Sequence, residues 1–254
     1  MINNGYLFSN NPTRLFINTS LGCNANCSYC YLPKLKYSKG QPVTTYKTAE
    51  EILSFLKSYS EFIPGKKGTL ISFGCYSECW DQKNKAETIK LIKHFLALGN
   101  RIQFATKKYV DYQDLIEISK LIQYPNQLSI FISSATISNW ETFEPLTSPP
   151  KERFHSFEIP NHLNIPVVLY IKPVIQNVTS KDIDKYITLI KKYQIKNVII
   201  GSMINAQGTG DSAPFISDNS LRYNSTSDEE IIKKSLSPYC KIYERSIDFI
   251  SKIK

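Results

Sequence analysis

Short stretches rich in apolar residues alternate along the chain with longer segments in which apolar residues recur every three or four positions. The short stretches indicate buried strands, and the longer spacing indicates helices that bury one face. The strands are predicted at residues 14–19, 68–73, 101–105, 127–132, 166–171 and 197–200. The helices are predicted at about residues 48–59, 83–98, 111–122, 150–160 and 180–193, with one or two closing helices across 227–252.

Local signals mark several of these boundaries. Thr48 with Glu51 three residues later forms a capping box, which predicts a helix start. Gly99 and Asn100 predict the end of the helix before them. The helix that starts near Ser180 is expected to bury one face made of Ile183, Ile187 and Ile190. Residues 32–46 are polar and contain prolines, so they are predicted to continue a loop.

Six strands that alternate with helices predict a parallel sheet with helices on the outside. A flat doubly wound sheet and a partial barrel both fit this pattern. In either case, functional groups collect at the carboxyl ends of the strands. No segment has the composition of a linker, so we expect one domain over residues 1–254, with a core at about 14–205 and a helical closure at about 227–252.

Composition narrows the class of protein. The chain has 254 residues and is 42% hydrophobic, which is enough for a buried core. No apolar run approaches the ~20 residues of a membrane helix, and no signal peptide is visible. Six cysteines without such a signal favour a reducing, cytoplasmic location. The net charge of +9 favours anionic partners such as nucleic acid, and the alternative is a surface of solvated lysines.

Three of the six cysteines lie close together, at Cys23, Cys27 and Cys30. Glycine, asparagine and alanine around them allow a tight loop that could aim three thiolates at one point. Three sulfur ligands without a fourth nearby suit an iron–sulfur cluster with one open iron. The alternatives are a zinc site completed by Cys75 and Cys79, or strained disulfides.

The pattern C-x3-C-x-aromatic-C after an early strand resembles the radical S-adenosylmethionine (SAM) superfamily. The resemblance implies a partial (β/α)6 TIM-type barrel, in agreement with the six predicted strands. It also implies a 4Fe–4S cluster on Cys23, Cys27 and Cys30, with SAM bound at the open iron. Reductive cleavage of SAM would give a 5′-deoxyadenosyl radical, with the electron supplied by a donor such as flavodoxin or ferredoxin.

The end of the second strand carries Gly74, Cys75 and Cys79. Many members of the superfamily have a Gly-Gly-Glu stretch here that contacts the amino group of SAM. In this chain only Gly74 and Glu78 are similar to it. A thiol here could give a hydrogen atom to a carbon radical, whereas the simpler interpretation is that both cysteines only pack in the core.

The order of motifs at the later strand ends resembles the spore photoproduct lyase-like branch of the superfamily. These motifs are Thr-Lys at 106–107, Glu-Pro-x-x-Ser-Pro-x-x-x-Arg at 144–153 and Pro-x-Ile at 173–175. The resemblance implies that Cys75 returns hydrogen to a product radical, assisted by Tyr29 and Tyr31. It implies cofactor contacts at Gly74, Ser77, Lys107, Ser133 or Ser134, and Ser202.

The chain also departs from this branch. Only 22 residues precede Cys23, so we expect no counterpart of the lyase's N-terminal domain, and no convincing lesion-binding β-hairpin is predicted near the C-terminus. The predicted activity is therefore a radical SAM reaction with nucleic acid as the first substrate candidate. A peptide or a small molecule is the alternative substrate. The alternative of another class is a non-catalytic zinc- or cluster-binding protein, and no membrane partner is expected.

Overall fold

The computed structural model describes residues 4–11, 13–206 and 221–252. Its strands are β1 (Leu7–Asn11), β2 (Arg14–Ile17), β3 (Leu70–Phe73), β4 (Ile102–Thr106), β5 (Leu128–Ser133), β6 (Val167–Ile171), β7 (Asn197–Ile200), β8 (Met203–Ala206), β9 (Leu221–Asn224) and β10 (Lys241–Tyr243). Its α-helices are α1 (Ala49–Leu56), α2 (Lys85–Ala97), α3 (Ile116–Ser119), α4 (Trp140–Phe143), α5 (Pro150–Arg153), α6 (Ile159–His162), α7 (Ile183–Tyr193), α8 (Ser227–Leu236) and α9 (Ser246–Lys252).

The six predicted strands are present and form one parallel array, β2 to β7 in order. β10 adds a seventh parallel strand beside β7, and β1 runs antiparallel to β2 at the other edge. The predicted α/β fold of partial TIM-barrel type is therefore confirmed. The parallel order brings the carboxyl ends of β2 to β7 to one edge of the sheet, where loops from distant parts of the sequence meet.

The two faces of the sheet are packed differently. The larger core joins strand residues such as Ile71 and Ile132 to the buried faces of α1, α2, α7 and α8. The smaller core lies on the opposite face, where Phe131 and Val168 pack against Phe249 and Ile250 of α9. No helix in the described residues is both long and apolar enough to cross a membrane.

The predicted start of α1 and end of α2 are confirmed. The Thr48 hydroxyl accepts a hydrogen bond from the Glu51 N–H at 3.2 Å, and the Glu51 carboxylate accepts one from the Thr48 N–H at 2.8 Å. Gly99 adopts a φ of 81°, which ends the helix before it. The start of α7 was placed too early, because a 3-10 turn over Thr179–Asp182 precedes Ile183.

The buried face of α7 also differs from the prediction. Its buried residues are Tyr186, Leu189 and Ile190, whereas Ile183 and Ile187 are only partly buried. Ile183 and Ile187 therefore lie at the margin of the packed face, and Ile190 lies within it. Spacing alone identified one side of the helix, but the neighbouring elements decide which residues on that side are enclosed.

Two predicted helices are broken into shorter pieces. The helix expected at 111–122 is a 3-10 turn over Tyr112–Leu115 followed by α3. The helix expected at 150–160 is divided into α5, a 3-10 turn over Phe154–Glu158, and α6. Pro160 lies in the first turn of α6, where its missing N–H costs no helical hydrogen bond, so a new helix begins there instead of the old one continuing.

Four strands escaped the sequence prediction. β1 contains the polar sequence Leu-Phe-Ser-Asn-Asn, and its pairing with β2 compensates for weak strand propensity. The expected closing helices are α8 and α9, but the three-residue strand β10 separates them. β8 and β9 form an antiparallel pair, with Met203 opposite Asn224, which was not predicted; the absence of a lesion-binding hairpin stays a prediction.

Candidate active site

A cavity of about 200 Å³ opens at the carboxyl ends of the parallel strands. It brings together all of the predicted site residues except Gly74 and Ser134. Those that line it are Cys23, Cys27, Tyr29, Cys30, Tyr31, Cys75, Ser77, Lys107, Ser133 and Ser202. These residues come from five segments that are far apart in the sequence, so the parallel topology is what assembles them.

The cysteine loop between β2 and α1 is held by backbone hydrogen bonds. The Cys23 N–H donates to the Ser38 carbonyl at 3.0 Å, and the Cys23 carbonyl accepts from the Gly40 N–H at 3.0 Å. The Lys39 ammonium donates to the Cys27 carbonyl at 2.7 Å. Gly22 has a φ of 117°, and a Cβ there would lie 2.5 Å from the Ser38 hydroxyl. A side chain at Gly22 would therefore disturb the loop that carries the thiols.

The opposite side of this loop is held by the segment that follows α4. The Ser28 N–H donates to the Phe143 carbonyl at 3.0 Å, and the Asn26 N–H donates to the Pro145 carbonyl at 3.2 Å. Between them, the Glu144 carboxylate accepts from the Tyr29 hydroxyl at 2.5 Å. The cysteine loop is thus fixed on both sides before any cofactor binds.

Glu144 itself is held by a buried arginine. Arg153 and Glu144 are both fully buried, and an Arg153 Nη1 to Glu144 Oε2 distance of 2.9 Å makes them an ion pair. The same guanidinium donates to the Ser133 carbonyl and the Thr147 hydroxyl, each at 2.6 Å. Burial raises the pKa of Glu144, but Arg153, Lys107 and Tyr29 outweigh it, so the pKa is lowered and the carboxylate stays charged.

This arrangement explains the spacing Glu-Pro-x-x-Ser-Pro-x-x-x-Arg. The Arg153 guanidinium also donates to the Ser148 carbonyl at 2.8 Å, which folds the segment back on itself. Glu144 and Arg153 were part of the motif used for the resemblance, but neither was predicted as a site residue. The spacing of these two opposite charges could have indicated an ion pair, but from sequence alone both residues could equally belong to turns.

Lys107 follows β4 and points into the cavity beside Glu144. Its ammonium donates to the Ser133 hydroxyl at 3.0 Å and lies 4.0 Å from Glu144 Oε1. Burial lowers the pKa of Lys107, but the neighbouring Cys27 and Glu144 more than offset that effect, so its pKa is raised. Lys107 is therefore a fixed cation at neutral pH.

Glu78 is a lining residue that the sequence indicated only weakly. Its buried carboxylate accepts from the Thr106 hydroxyl at 2.5 Å and from the Lys107 N–H at 2.9 Å. These bonds tie the loop after β3 to the end of β4. Gly74 does not line the cavity: it has a φ of 84° and lies against Cys79 and Ala105, so it shapes the turn that carries Cys75.

Cys75 and Cys79 are separated by the fold. Cys75 lines the cavity, and its sulfur lies 3.7 Å from the Tyr31 hydroxyl, which donates to the Cys75 carbonyl at 2.6 Å. Burial raises the pKa of the Cys75 thiol to about 11. Cys79 is buried in the large core and does not line the cavity, which fits the packing interpretation for that residue.

The four predicted serines also differ in their surroundings. Ser133 lines the cavity, whereas the Ser134 hydroxyl is fully buried outside it and donates to the Thr136 carbonyl at 3.0 Å. Ser202 lines the cavity and donates to Glu229 at 3.1 Å. The Ser77 hydroxyl is buried and has no hydrogen-bond partner within the part of the chain that the structure describes. A buried hydroxyl without a partner is costly, so a bound polar group would stabilise it.

The three clustered thiols fit an iron–sulfur cluster better than a single metal ion. All three are free of disulfides and border the cavity. Within the described residues, no group of three or more His, Cys, Asp or Glu side chains is arranged around one ion, as a zinc site would require. In a 4Fe–4S cluster each cysteine binds a different iron, so the sulfurs need not meet at one point. Burial raises the pKa of Cys27 and Cys30, so iron binding must displace their protons.

Residues 17–205 match the family model described as the Radical SAM superfamily. The chain belongs to the radical SAM superfamily. Enzymes of this superfamily use a 4Fe–4S cluster and SAM, which confirms the two predicted cofactors. No curated protein sequence matches the chain.

Solved structures share the fold at low sequence identity. Spore photoproduct lyase complexed with dinucleoside spore photoproduct is 13% identical, with a TM-score of 0.61 over 89% of this chain and 75% of the lyase. SuiB of Streptococcus suis bound to SAM is also 13% identical, with a TM-score of 0.60 over 92% of this chain. The match covers 51% of SuiB, so this chain spans about half the length of that protein.

Proposed function

We propose that this radical SAM protein holds a 4Fe–4S cluster on Cys23, Cys27 and Cys30 and acts on a nucleic-acid substrate. When bound, the cluster and SAM supply a 5′-deoxyadenosyl radical. The observation that carries the proposal is the single cavity in which the three thiols, Lys107 and Cys75 face the same space. The chain's own task is to hold these groups in place and to exclude water from them.

Lys107 is the residue best suited to the carboxylate of SAM. It is a partly buried cation whose orientation is fixed by Ser133 and Glu144, so little entropy is lost when an anion binds. We assign the Glu78 carboxylate to the amino group of SAM. Ser77 supplies a hydroxyl that has no hydrogen-bond partner among the described residues, and Ser133 and Ser202 are proposed to contact the ribose and the adenine.

Cys75 is suited to donate a hydrogen atom, because only the protonated thiol carries one. Since burial raises its pKa to about 11, the thiol keeps its hydrogen at neutral pH. The Tyr31 hydroxyl lies beside this sulfur, whereas the Tyr29 hydroxyl is bound to Glu144. We therefore assign Tyr31 as the partner of Cys75 and Tyr29 as a residue that positions the cysteine loop.

The reaction class can be tested before the substrate is known. Anaerobic reconstitution with iron and sulfide should give a brown protein that forms 5′-deoxyadenosine from SAM after reduction with dithionite. Cys27→Ala should lose most of its bound iron and this activity. Cys240→Ala is a matched control, because Cys240 lies outside the cavity, where its thiol donates to the Leu236 carbonyl at 3.4 Å. One zinc without sulfide, or unchanged iron in Cys27→Ala, would contradict the proposal.

The substrate class requires a separate measurement. The net charge of +9 and the likeness to spore photoproduct lyase support a nucleic acid. Binding of a single-stranded oligonucleotide should weaken steeply between low and physiological salt, because phosphate contacts release counterions. Binding that is absent at low salt would favour the peptide or small-molecule alternative. The electron donor and the cytoplasmic location remain predictions.

A further inference from the structure

A second lysine, Lys172, lines the active-site cavity and is not among the residues proposed to bind the cluster or SAM. It directly follows β6, two strands along the sheet from Lys107. It also lines a neighbouring cavity of about 410 Å³, together with Ser202, Glu229 and Arg245. Lys172 therefore lies where the active-site cavity and its neighbour meet.

The backbone and side chain of Lys172 are both held in place. Its carbonyl accepts a hydrogen bond from the Ser133 hydroxyl at 3.3 Å, so Ser133 contacts both lysines of the cavity. Its alkyl chain runs against Gly201, where a Cβ would lie 3.1 Å from Lys172 Cδ and 3.3 Å from Cε. Gly201 thus leaves the space through which this side chain reaches the cavity.

Within the described part of the chain, two of the three charges that act on Lys172 are of its own sign. Arg14 of β2 and Arg245, which precedes α9, repel its ammonium, and Glu229 of α8 attracts it. The Glu229 carboxylate already accepts hydrogen bonds from the Ser202 hydroxyl and the Thr226 N–H, each at 3.1 Å. Burial, followed by the two arginines, lowers the pKa of Lys172 to about 8. An anion that entered the cavity would offset this repulsion.

We propose that Lys172 binds a phosphate group of the substrate inside the active-site cavity. The inference rests on the proposed nucleic-acid substrate and adds the group that is recognised. Lys107 is held by Ser133 and Glu144 for the cofactor, so Lys172 is the lining lysine suited to the substrate. An ammonium that binds phosphate makes a charge-assisted hydrogen bond, which is stronger than a neutral one.

The test measures binding of the thymidine dinucleotide TpT, which has one phosphate, and of thymidine, which has none. The reconstituted protein with SAM, without reductant, is titrated by calorimetry at several pH values between 7 and 9.5. Lys172→Met keeps the alkyl chain and removes the charge. Lys172→Arg keeps a charge that does not titrate in this range. Lys57→Met, at an exposed position at the end of α1, is the matched loss of one positive charge elsewhere.

At pH 7 we expect Lys172→Met to bind TpT roughly tenfold or more weakly than the unmodified protein. The ammonium is the binding form, so affinity of the unmodified protein should fall as pH rises through about 8, which is its pKa. Lys172→Arg should bind TpT across the whole range. Lys57→Met should match the unmodified protein, and thymidine binding should not depend on Lys172.

Equal TpT affinity of Lys172→Met and the unmodified protein would overturn the inference. The same pH dependence in Lys172→Arg, or no TpT binding at pH 7, would also overturn it. Lys172-dependent binding of an acidic peptide in place of TpT would overturn the assignment to phosphate. Failure to form 5′-deoxyadenosine refutes the proposed function, whereas TpT binding that does not depend on Lys172 refutes only this inference.

Discussion

Lys107 and Lys172 line the same cavity, yet their surroundings shift their pKa values in opposite directions. Burial lowers the pKa of both lysines. At Lys107 the nearby Cys27 and Glu144 outweigh burial and raise its pKa, whereas at Lys172 Arg14 and Arg245 add to burial and lower its pKa. One lysine is a permanent cation, and the charge of the other depends on pH and on what binds beside it.

The difference extends to the two sides of the cavity. On the side of Lys107, the Glu144–Arg153 pair fixes the cysteine loop through Tyr29 and through backbone bonds at Phe143 and Pro145. On the side of Lys172, the neighbouring charges come from β2, α8 and the segment before α9. We infer that the first side is preorganised for a cofactor that is always the same, and that the second side responds to the substrate.

Loss of Arg153 should have the largest effect on this comparison. Arg153→Met would leave the buried Glu144 with a weaker set of partners, because Lys107 is 4.0 Å away. Breaking a buried pair in this way should lower the free energy of unfolding by about 3–5 kcal/mol. Urea denaturation of the metal-free protein measures it. Lys151→Met, at an exposed position on the same helix, should change it by less than about 0.5 kcal/mol.

A loss below about 1 kcal/mol in Arg153→Met would mean that the pair is worth no more than a surface salt bridge. The distinction between a fixed side and a responsive side would then fail. The double variant Glu144→Gln with Arg153→Met sharpens the test. It removes both charges and should recover part of the loss, since the main penalty is the charge left alone.

The two tyrosines provide the next test. Tyr29→Phe removes a hydrogen bond to the buried Glu144 carboxylate, so it should cost about 1.5–3 kcal/mol of unfolding free energy. Tyr31→Phe removes a bond to the neutral Cys75 carbonyl and should cost only about 0.5–1.5 kcal/mol. Denaturation of both variants under one set of conditions gives the comparison. A larger loss in Tyr31→Phe would reverse the assignment of Tyr29 as the positioning residue.

The smallest expected effect is a difference in amine reactivity. At pH 8 about half of Lys172 should be neutral, because its pKa is about 8, whereas Lys107 should stay protonated. A limiting amount of an acetylating reagent should therefore modify Lys172 roughly tenfold faster than Lys107, after allowance for burial of both. Peptide mass spectrometry between pH 7 and 9 measures the two rates. Equal rates at pH 8 would show that the surroundings of the two lysines do not give them different pKa values.

Much of the fold could be predicted because its signals are local. The six strands and the capping box of Thr48 and Glu51 depend on residues that are close together in the sequence. β10 could not be predicted, because three residues show no periodicity and the strand exists only by pairing with β7. The division of the helix predicted at about 150–160 into α5, a 3-10 turn and α6 was also missed.

The site shows the same limit at the level of single residues. Cys75 and Cys79 stand four residues apart at the end of β3, and only the family resemblance favoured Cys75. The turn after β3 places Cys75 in the cavity and Cys79 in the core. Lys172 directly follows a predicted strand, but its lowered pKa follows only from burial and from Arg14 and Arg245, which lie far from it in sequence.

The sequence by itself determined the cofactor chemistry of this protein. Cys23, Cys27 and Cys30 lie within eight residues, so a single loop carries the three ligands wherever it is placed. The tertiary structure decided which residues meet those thiols and in which state of charge. Burial and opposite charge act through space, so partners such as Glu144 with Arg153, or Lys172 with Arg14, become visible only when the strands assemble.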